Sequence, residues 1–310
     1  MTSEITSGAG AGVTLVVNPS SGRGRGARAA APAAAALRDA GLAVRTVVTR
    51  DAPAALLRAA AAVEAGTGAL VAVGGDGMVS LALQAVAGTA TPLGIVAAGS
   101  GNDYARSLGL PLRAPAAAAR LAADVLKGPG PRPVDLGRAG GKWFATVLAS
   151  GFDSKVNDRG NRMRRTAGRF RYEIAMLAEL AALAPVPYRL TLDDGAEREV
   201  EAVLVAVGNT SSYGGGLRIC PGADCGDGLF DVTVVGACSR TTLLRVFPRV
   251  YRGSHTGHRV VTVHRAAAVR LAAPAATTAA TAYADGEPLG ALPLTARCVP
   301  GALRLLAPPV

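Results

Sequence analysis

The apolar residues of positions 13–136 alternate between two spacings. Short unbroken runs at 13–18, 43–49, 69–73 and 93–97 read as buried strands, while 26–40, 52–65, 79–87 and 114–127 place Ala, Leu and Val at helical intervals. Regular alternation of strand and helix predicts a parallel sheet covered on both faces. Pro129, Gly130, Pro131 and Pro133 punctuate the end of this region. Beyond it the pattern turns to short strands at 143–149, 188–192, 199–207, 229–235, 258–264 and 267–271, interrupted by one helix at 172–183. Many short strands split by Gly and Pro predict a β-sandwich. The expected organisation is a disordered leader (1–12), an α/β domain (13–136), a β-sandwich domain (137–295) and a strand segment (296–310) that could return to the first domain. No internal repeat is visible.

Three strands of the α/β region run into small or polar turns. The first ends in Asn18-Pro19-Ser20-Ser21-Gly22, the third in Gly74-Gly75-Asp76-Gly77 and the fourth in Ala98-Gly99-Ser100-Gly101-Asn102-Asp103. Ligands of open α/β sheets sit at the carboxyl ends of strands, so the three turns are expected to converge on one edge. Gly74–Gly77 followed by a helix offers unpaired amides and a helix dipole to a phosphate. Its bland alternative is a tight βα turn without a ligand. A carboxylate such as Asp76 beside a phosphate implies an intervening cation. Ser20, Ser21 and Ser100 could reach phosphate or ribose, and Asn102 and Asp103 could orient metal-bound water. Gly22-Arg23-Gly24-Arg25-Gly26-Ala27 fits G-x-G-x-x-A, but Asn-Pro-Ser-Ser separates it from its strand, and no Walker A motif is present.

Composition narrows the class. Half of the 310 residues are apolar and only 4% aromatic, enough for two packed domains. No window of about 18 apolar residues lacks a charge or proline, which argues against a membrane span. Residues 1–12 have no basic start or apolar core of a signal peptide. Cys220, Cys225, Cys238 and Cys298 match no zinc spacing and read as free thiols of a cytoplasmic protein. His255, His258 and His264 are too few and ill-spaced for zinc, and His255 alone is a candidate cleft residue. The net charge of +11 favours an anionic partner. The densest basic stretch, 159–171, is either a solvated face or a contact for an anionic membrane surface; with Phe170 its one aromatic, it does not suggest nucleic acid. Asp224, Asp227 and Asp231, interleaved with Gly, suit either a hard cation or a set of loop caps. Asp285, in Tyr283-Ala-Asp-Gly-Glu287, could present a carboxylate to a cleft or simply form a hairpin turn.

Taken together, Asn18-Pro-x-Ser-Gly22, Gly74-Gly-Asp-Gly77, Gly99-Ser-Gly-Asn-Asp103, Gly151-Phe-Asp153, Asn209, Pro221-Gly-Ala-Asp-Cys-Gly-Asp-Gly228 with Asp231, Tyr283-Ala-Asp-Gly-Glu287 and Pro300-Gly301 resemble the diacylglycerol/sphingosine-type lipid kinases, in particular the soluble bacterial ones. The motifs occur in the family's order over about 13–307; Gly-Gly-Asp-Gly alone is shared with NAD kinases. The resemblance implies an ATP- and Mg²⁺-dependent kinase that phosphorylates the hydroxyl of a diacylglycerol-like or long-chain lipid, with a nucleotide site between an NAD kinase-like α/β domain and a β-sandwich. It implies nucleotide contacts from Asn18, Ser21, Gly22, Thr49, Gly74, Gly75, Asp76, Gly77, Met78, Val79, Ser80, Ser100, Asn102 and Asp103. It further implies Asp285 as general base, and a structural Mg²⁺ held by Asp227 and the carbonyls of Phe230 and Val232. Met78 stands where the family usually has Thr, and Ser80 where Asn is common. The expected partners are the lipid substrate and, peripherally, an anionic membrane; a homodimer stays open, and no nucleic acid is expected. The alternatives are an NAD kinase and a catalytically silent lipid-binding protein.

Overall fold

In the computed structural model, which describes residues 12–151, 184–274 and 281–308, the apolar runs of the first half form β1 (Val13–Val17), β2 (Val44–Val48), β3 (Ala69–Gly74) and β4 (Leu93–Ala97). All pair in parallel in the order β4-β3-β1-β2, with Leu305 of the returning chain beside Leu93. β1, β3 and β4 are buried along their whole length, as strands covered on both faces must be. β2, at the edge, exposes Arg45, Thr46 and Val48.

Helices α1 (Ser21–Asp39) and α5 (Pro115–Lys127) share one core with Val13, Leu15, Val17, Val71 and Val73, while α2 (Ala52–Glu64) packs with α3 (Asp76–Val86). Local chemistry sets their starts. Asp51 accepts the Ala54 N–H to cap α2, and prolines occupy the first turns of α2 and α5. The first turn of α1 holds Gly22, Arg23 and Gly24 in left-handed conformations, so regular helix begins only beyond them. α3 starts at Asp76, three residues before the apolar spacing suggested. A one-turn helix, α4 (Asp103–Ser107), was not legible at all.

The chain splits into two compact units, one containing residues up to 134 and from 301, the other residues 135–300. The sequence had suggested breaks at 136 and 296. A strand, β5 (Arg132–Ala139), runs through the first break, where the prolines had read as loop; Pro133 near a strand start is compatible with pairing.

The second unit is antiparallel. The strand expected at 143–149 is split into β6 (Lys142–Phe144) and β7 (Val147–Gly151), because the amides of Ala145 and Thr146 turn to a carboxylate. β8 (Val186–Leu192), β9 (Arg198–Gly208), β10 (Phe230–Gly236), β11 (Val261–Ala266), β12 (Ala268–Ala272), β13 (Thr281–Ala284), β14 (Glu287–Ala291) and β15 (Leu294–Leu305) follow. β9 changes partner midway: its first half pairs with β8, its second with β7, and β10 lies along its other edge. Alternate residues of these strands therefore serve two cores. Val205, Val207, Val232 and Val234 face the sandwich interior with Tyr188, Phe144 and Phe230, whose rings stack in the case of the two phenylalanines. Leu204, Ala206 and Val235 face outward, under helix α6 (Arg240–Val250). Ser239 caps α6 by accepting the Thr242 N–H. Leu243, Val246 and Val250 are its buried stripe. The helix expected at 172–183, the basic stretch 159–171 and Phe152-Asp153 lie outside the described residues. The four cysteines are free thiols; burial pushes Cys220 and Cys298 up to about 12.

His255 is not a cleft residue. It is fully buried, and its Nε2–H donates to the Ile219 carbonyl at 3.0 Å, while Nδ1 is buried without a partner. Burial holds its pKa below the ordinary value, so the unfolded chain binds the extra proton first. Stability is therefore expected to fall as pH drops below about 6.5, and His255→Gln should remove that part of the acid sensitivity in urea titrations at stepped pH.

Candidate nucleotide and acceptor sites

In the first unit the three turns meet backbone to backbone. A Cβ on Gly99 would lie 2.3 Å from the Gly75 Cα, and one on Gly22 would lie 2.2 Å from the Ala98 carbonyl oxygen. Only glycine permits these approaches. Asp76 fastens the second turn to the third: Oδ2 accepts the Asn102 N–H at 2.7 Å and Oδ1 the Asp103 N–H at 2.6 Å. Asn102 is left-handed, with its side chain bonded to both the amide and the carbonyl of Gly99. Arg25 closes the first turn onto the third through the Gly99 carbonyl at 2.6 Å. Arg25 is one of two arginines set between glycines in Gly22–Ala27, and nothing in the sequence separates it from Arg23.

These bonds sort the expected nucleotide contacts. Asp76, Asn102 and the Asp103 amide bond to one another and build the loop. Met78 and Val79 are buried side chains; Met78 lies so close over Gly74 that a Cβ there would approach its own at 2.5 Å. They offer no side-chain contact. Asn18 makes a local turn by accepting the Ser20 N–H, and Ser21 lies over Gly74. Thr49 donates its N–H to the Val17 carbonyl at 3.1 Å, and its hydroxyl bonds within its own turn, to Asp51. Gly77 and Ser100 are exposed, and α3 opens at Gly75 without a side-chain cap. The surface left for an anion is thus the start of α3 with Gly22 and Ser100 around it.

In the second unit Asp285 and Gly286 form a two-residue hairpin turn with φ of 50° and 82°. The Asp285 carboxylate accepts the amides of Ala145 (2.8 Å) and Thr146 (2.9 Å) and the Thr146 hydroxyl. Behind it, buried Asn209 donates to the carbonyls of Ala145 and Asp135, both at 2.9 Å. Asp135 in turn accepts the Gly228 N–H at 2.7 Å. An apolar pocket lies elsewhere in this unit, between β9 and α6, lined by Val203, Leu204, Ile219, Leu243, Val246 and Val250 among others.

The residues expected to hold Mg²⁺ do not fit it as arranged. Asp227 Oδ1 accepts the Leu229 N–H, and Oδ2 is paired with the Arg265 guanidinium, which also lies 3.4 Å from Asp231. Burial raises the Asp231 carboxyl above its usual range, and Arg265 pulls it back. Val232 sits in β10 with His264 in register on one side and Val207 on the other. Among the described residues no three acidic, His or Cys side chains converge for a metal. Arg265 is the cation of this loop.

Two family models match the chain: the diacylglycerol kinase catalytic domain over residues 12–139, and the YegS C-terminal NAD kinase beta sandwich-like domain over 146–307. A diacylglycerol kinase of Mycobacterium tuberculosis is 48% identical over 231 residues, 73% of this chain and 72% of that one. The crystal structure of a putative diacylglycerol kinase from Bacillus anthracis shares the fold, with a TM-score of 0.77 at 24% identity over 96% of this chain and 97% of that one. An NAD kinase from Archaeoglobus fulgidus in complex with ATP is more distant, with a TM-score of 0.53 at 12% identity over 94% of this chain and 93% of that one.

Two outcomes follow from the geometry. Asp76→Ala leaves two amides unsatisfied and should cost roughly 1–3 kcal/mol in urea unfolding, whereas exposed Ser100→Ala should stay within about 0.5 kcal/mol. Mg²⁺ should not raise the melting temperature of the nucleotide-free protein. Arg265→Ala should lose about 1 kcal/mol and gain a Mg²⁺-dependent rise; a rise in the unsubstituted protein would show that Arg265 is not the resident cation.

Proposed function

The chain belongs to the diacylglycerol kinase family, and from that premise we propose that it is an ATP-dependent lipid kinase acting on the hydroxyl of a diacylglycerol-like or long-chain lipid. The phosphates of ATP bind at the uncapped start of α3, ringed by Gly22, Gly75, Gly77 and Ser100. Arg23, exposed in the left-handed first turn, supplies positive charge there. ATP arrives as its magnesium complex, the ion being part of the substrate. Phosphoryl transfer needs positioning and charge neutralisation more than covalent chemistry. Asp285 is the general base: as the lipid oxygen bonds to the γ-phosphorus and ADP leaves, its carboxylate takes the hydroxyl proton. The amides of Ala145 and Thr146 and the Thr146 hydroxyl fix the carboxylate's plane for that step.

The observation that carries the lipid reading is the match to the diacylglycerol kinase catalytic domain together with the 48% identity to a diacylglycerol kinase; a small apolar pocket under α6 lies in the same unit as Asp285. Its wall of Val, Leu and Ile is apolar, and at about 40 Å³ it takes a methyl-sized group rather than a whole acyl chain. The likeness to NAD kinases is one of fold alone. A peripheral contact with anionic membrane is part of the reading, since the acceptor resides in a bilayer.

Transfer of label from γ-labelled ATP to a panel of diacylglycerols and long-chain amino alcohols tests the proposal. Asp285→Asn should lower kcat by about 100-fold or more, with KM for ATP little changed. Undiminished turnover in that variant would remove the base assignment. NADP formation in the same assay would reassign the enzyme, and lipid binding without any turnover would make it a silent binding protein.

A further inference from the structure

α6 has a wider apolar sector than the core covers. Leu243, Val246 and Val250 point inward, and Phe247 sits at the rim. The sector then continues onto solvent through Leu244 and Tyr251, each 54% exposed. Beyond that strip the exposed flank of the helix is arginine: Arg245, Arg249 and Arg252 follow one another at helical spacing. None of the three has an acidic partner among the described residues. From Val232 to Ala284 the chain carries seven arginines and no Asp or Glu. A helix with exposed large apolar groups beside unpaired arginines fits the boundary between acyl chains and anionic head groups.

We propose that α6 is the element that docks the protein on an anionic bilayer, with Leu244 and Tyr251 entering the interface and Arg245, Arg249 and Arg252 against lipid phosphates. This rests on the lipid-kinase reading for its purpose, though not for its test. The inner side of the same helix roofs the apolar pocket through Leu243, Val246 and Val250, so a helix lying in the interface opens that pocket's wall towards the acyl layer. The charge pattern selects the occupant: a protein partner of apolar surface alone would leave three arginines without counter-charge.

Co-sedimentation with phosphatidylglycerol-containing vesicles, against pure phosphatidylcholine, reads docking without turnover. Leu244→Asp, and separately Arg245→Glu/Arg249→Glu, should each weaken binding to the anionic vesicles roughly tenfold or more. Both should keep the unsubstituted protein's turnover of a short-chain diacylglycerol dissolved as monomer, and lose it on vesicle-embedded substrate. Unchanged vesicle binding in both variants overturns the proposal, as does equal binding of the unsubstituted protein to both vesicle types. Loss of short-chain turnover also overturns it, since the face would then be acting through the active site. A solution dimer that dissociates on Leu244→Asp would give the face to a second copy instead. If no lipid is phosphorylated by any form, the kinase reading fails while the vesicle measurement still decides the docking.

Discussion

Everything about the candidate nucleotide face depends on two glycines in backbone contact. Gly75 and Gly99 end neighbouring strands and approach so closely that neither tolerates a Cβ. Two peptide segments at that separation are held by polar groups at their rims, and Asp76 is the principal one. By accepting consecutive amides of the third turn it starts α4 and spends its own charge inside the protein. An uncompensated carboxylate at the start of α3 would repel the phosphate that the helix dipole attracts. Bonding it to two amides of the third turn offsets that repulsion. Arg25 does the complementary job, holding carbonyls of the third turn so that Ser100 is left at the surface.

The same device recurs in the second unit. Asp285 accepts the successive amides of Ala145 and Thr146, and Asp193 accepts those of Ala267 and Ala268. In each of the three cases a carboxylate in or before a glycine turn ties down a neighbouring segment at two adjacent N–H groups. Asp285 differs in what stands behind it. Its amides belong to the gap between β6 and β7, and the carbonyl on the far side of that gap is held by buried Asn209, which reaches Asp135 and through it Gly228. A network that buried and that directional fixes the orientation of the Asp285 carboxylate more tightly than a hairpin turn requires.

The α/β half was legible because β1, β3 and β4 are predominantly apolar runs and α2 carries its Asp51 cap and a first-turn proline in sequence; β4 was placed to the residue, and α2 to within one. Three things were hidden. α6 was missed because Thr241, Thr242 and Pro248 lower helical propensity where the 243, 246, 250 stripe raises it. The β6–β7 break follows from a carboxylate 139 and 140 positions away, which no local pattern reports. The loop acids Asp227 and Asp231 have the composition of a cation site, and only register pairing of Asp231 with Arg265 across β10 and β11 shows that the cation is a side chain.

Met78 shows how far a departure from a motif can be read without coordinates. By sequence it removes a hydroxyl beside the phosphates. In the fold, residue 78 points away from the turn's open side: its side chain is buried over Gly74, and its amide is already bonded to the Gly75 carbonyl at 2.9 Å. The thioether fills space that a Thr side chain would leave partly empty, so the exchange bears on the packing between β3 and α3. What the start of α3 presents to the open side is backbone, and backbone is indifferent to the side chain at 78 so long as Gly75 keeps its contact with Gly99. The position that cannot change is therefore one of the glycines, and the motif's third-turn partner is as binding a part of it as the four residues usually quoted.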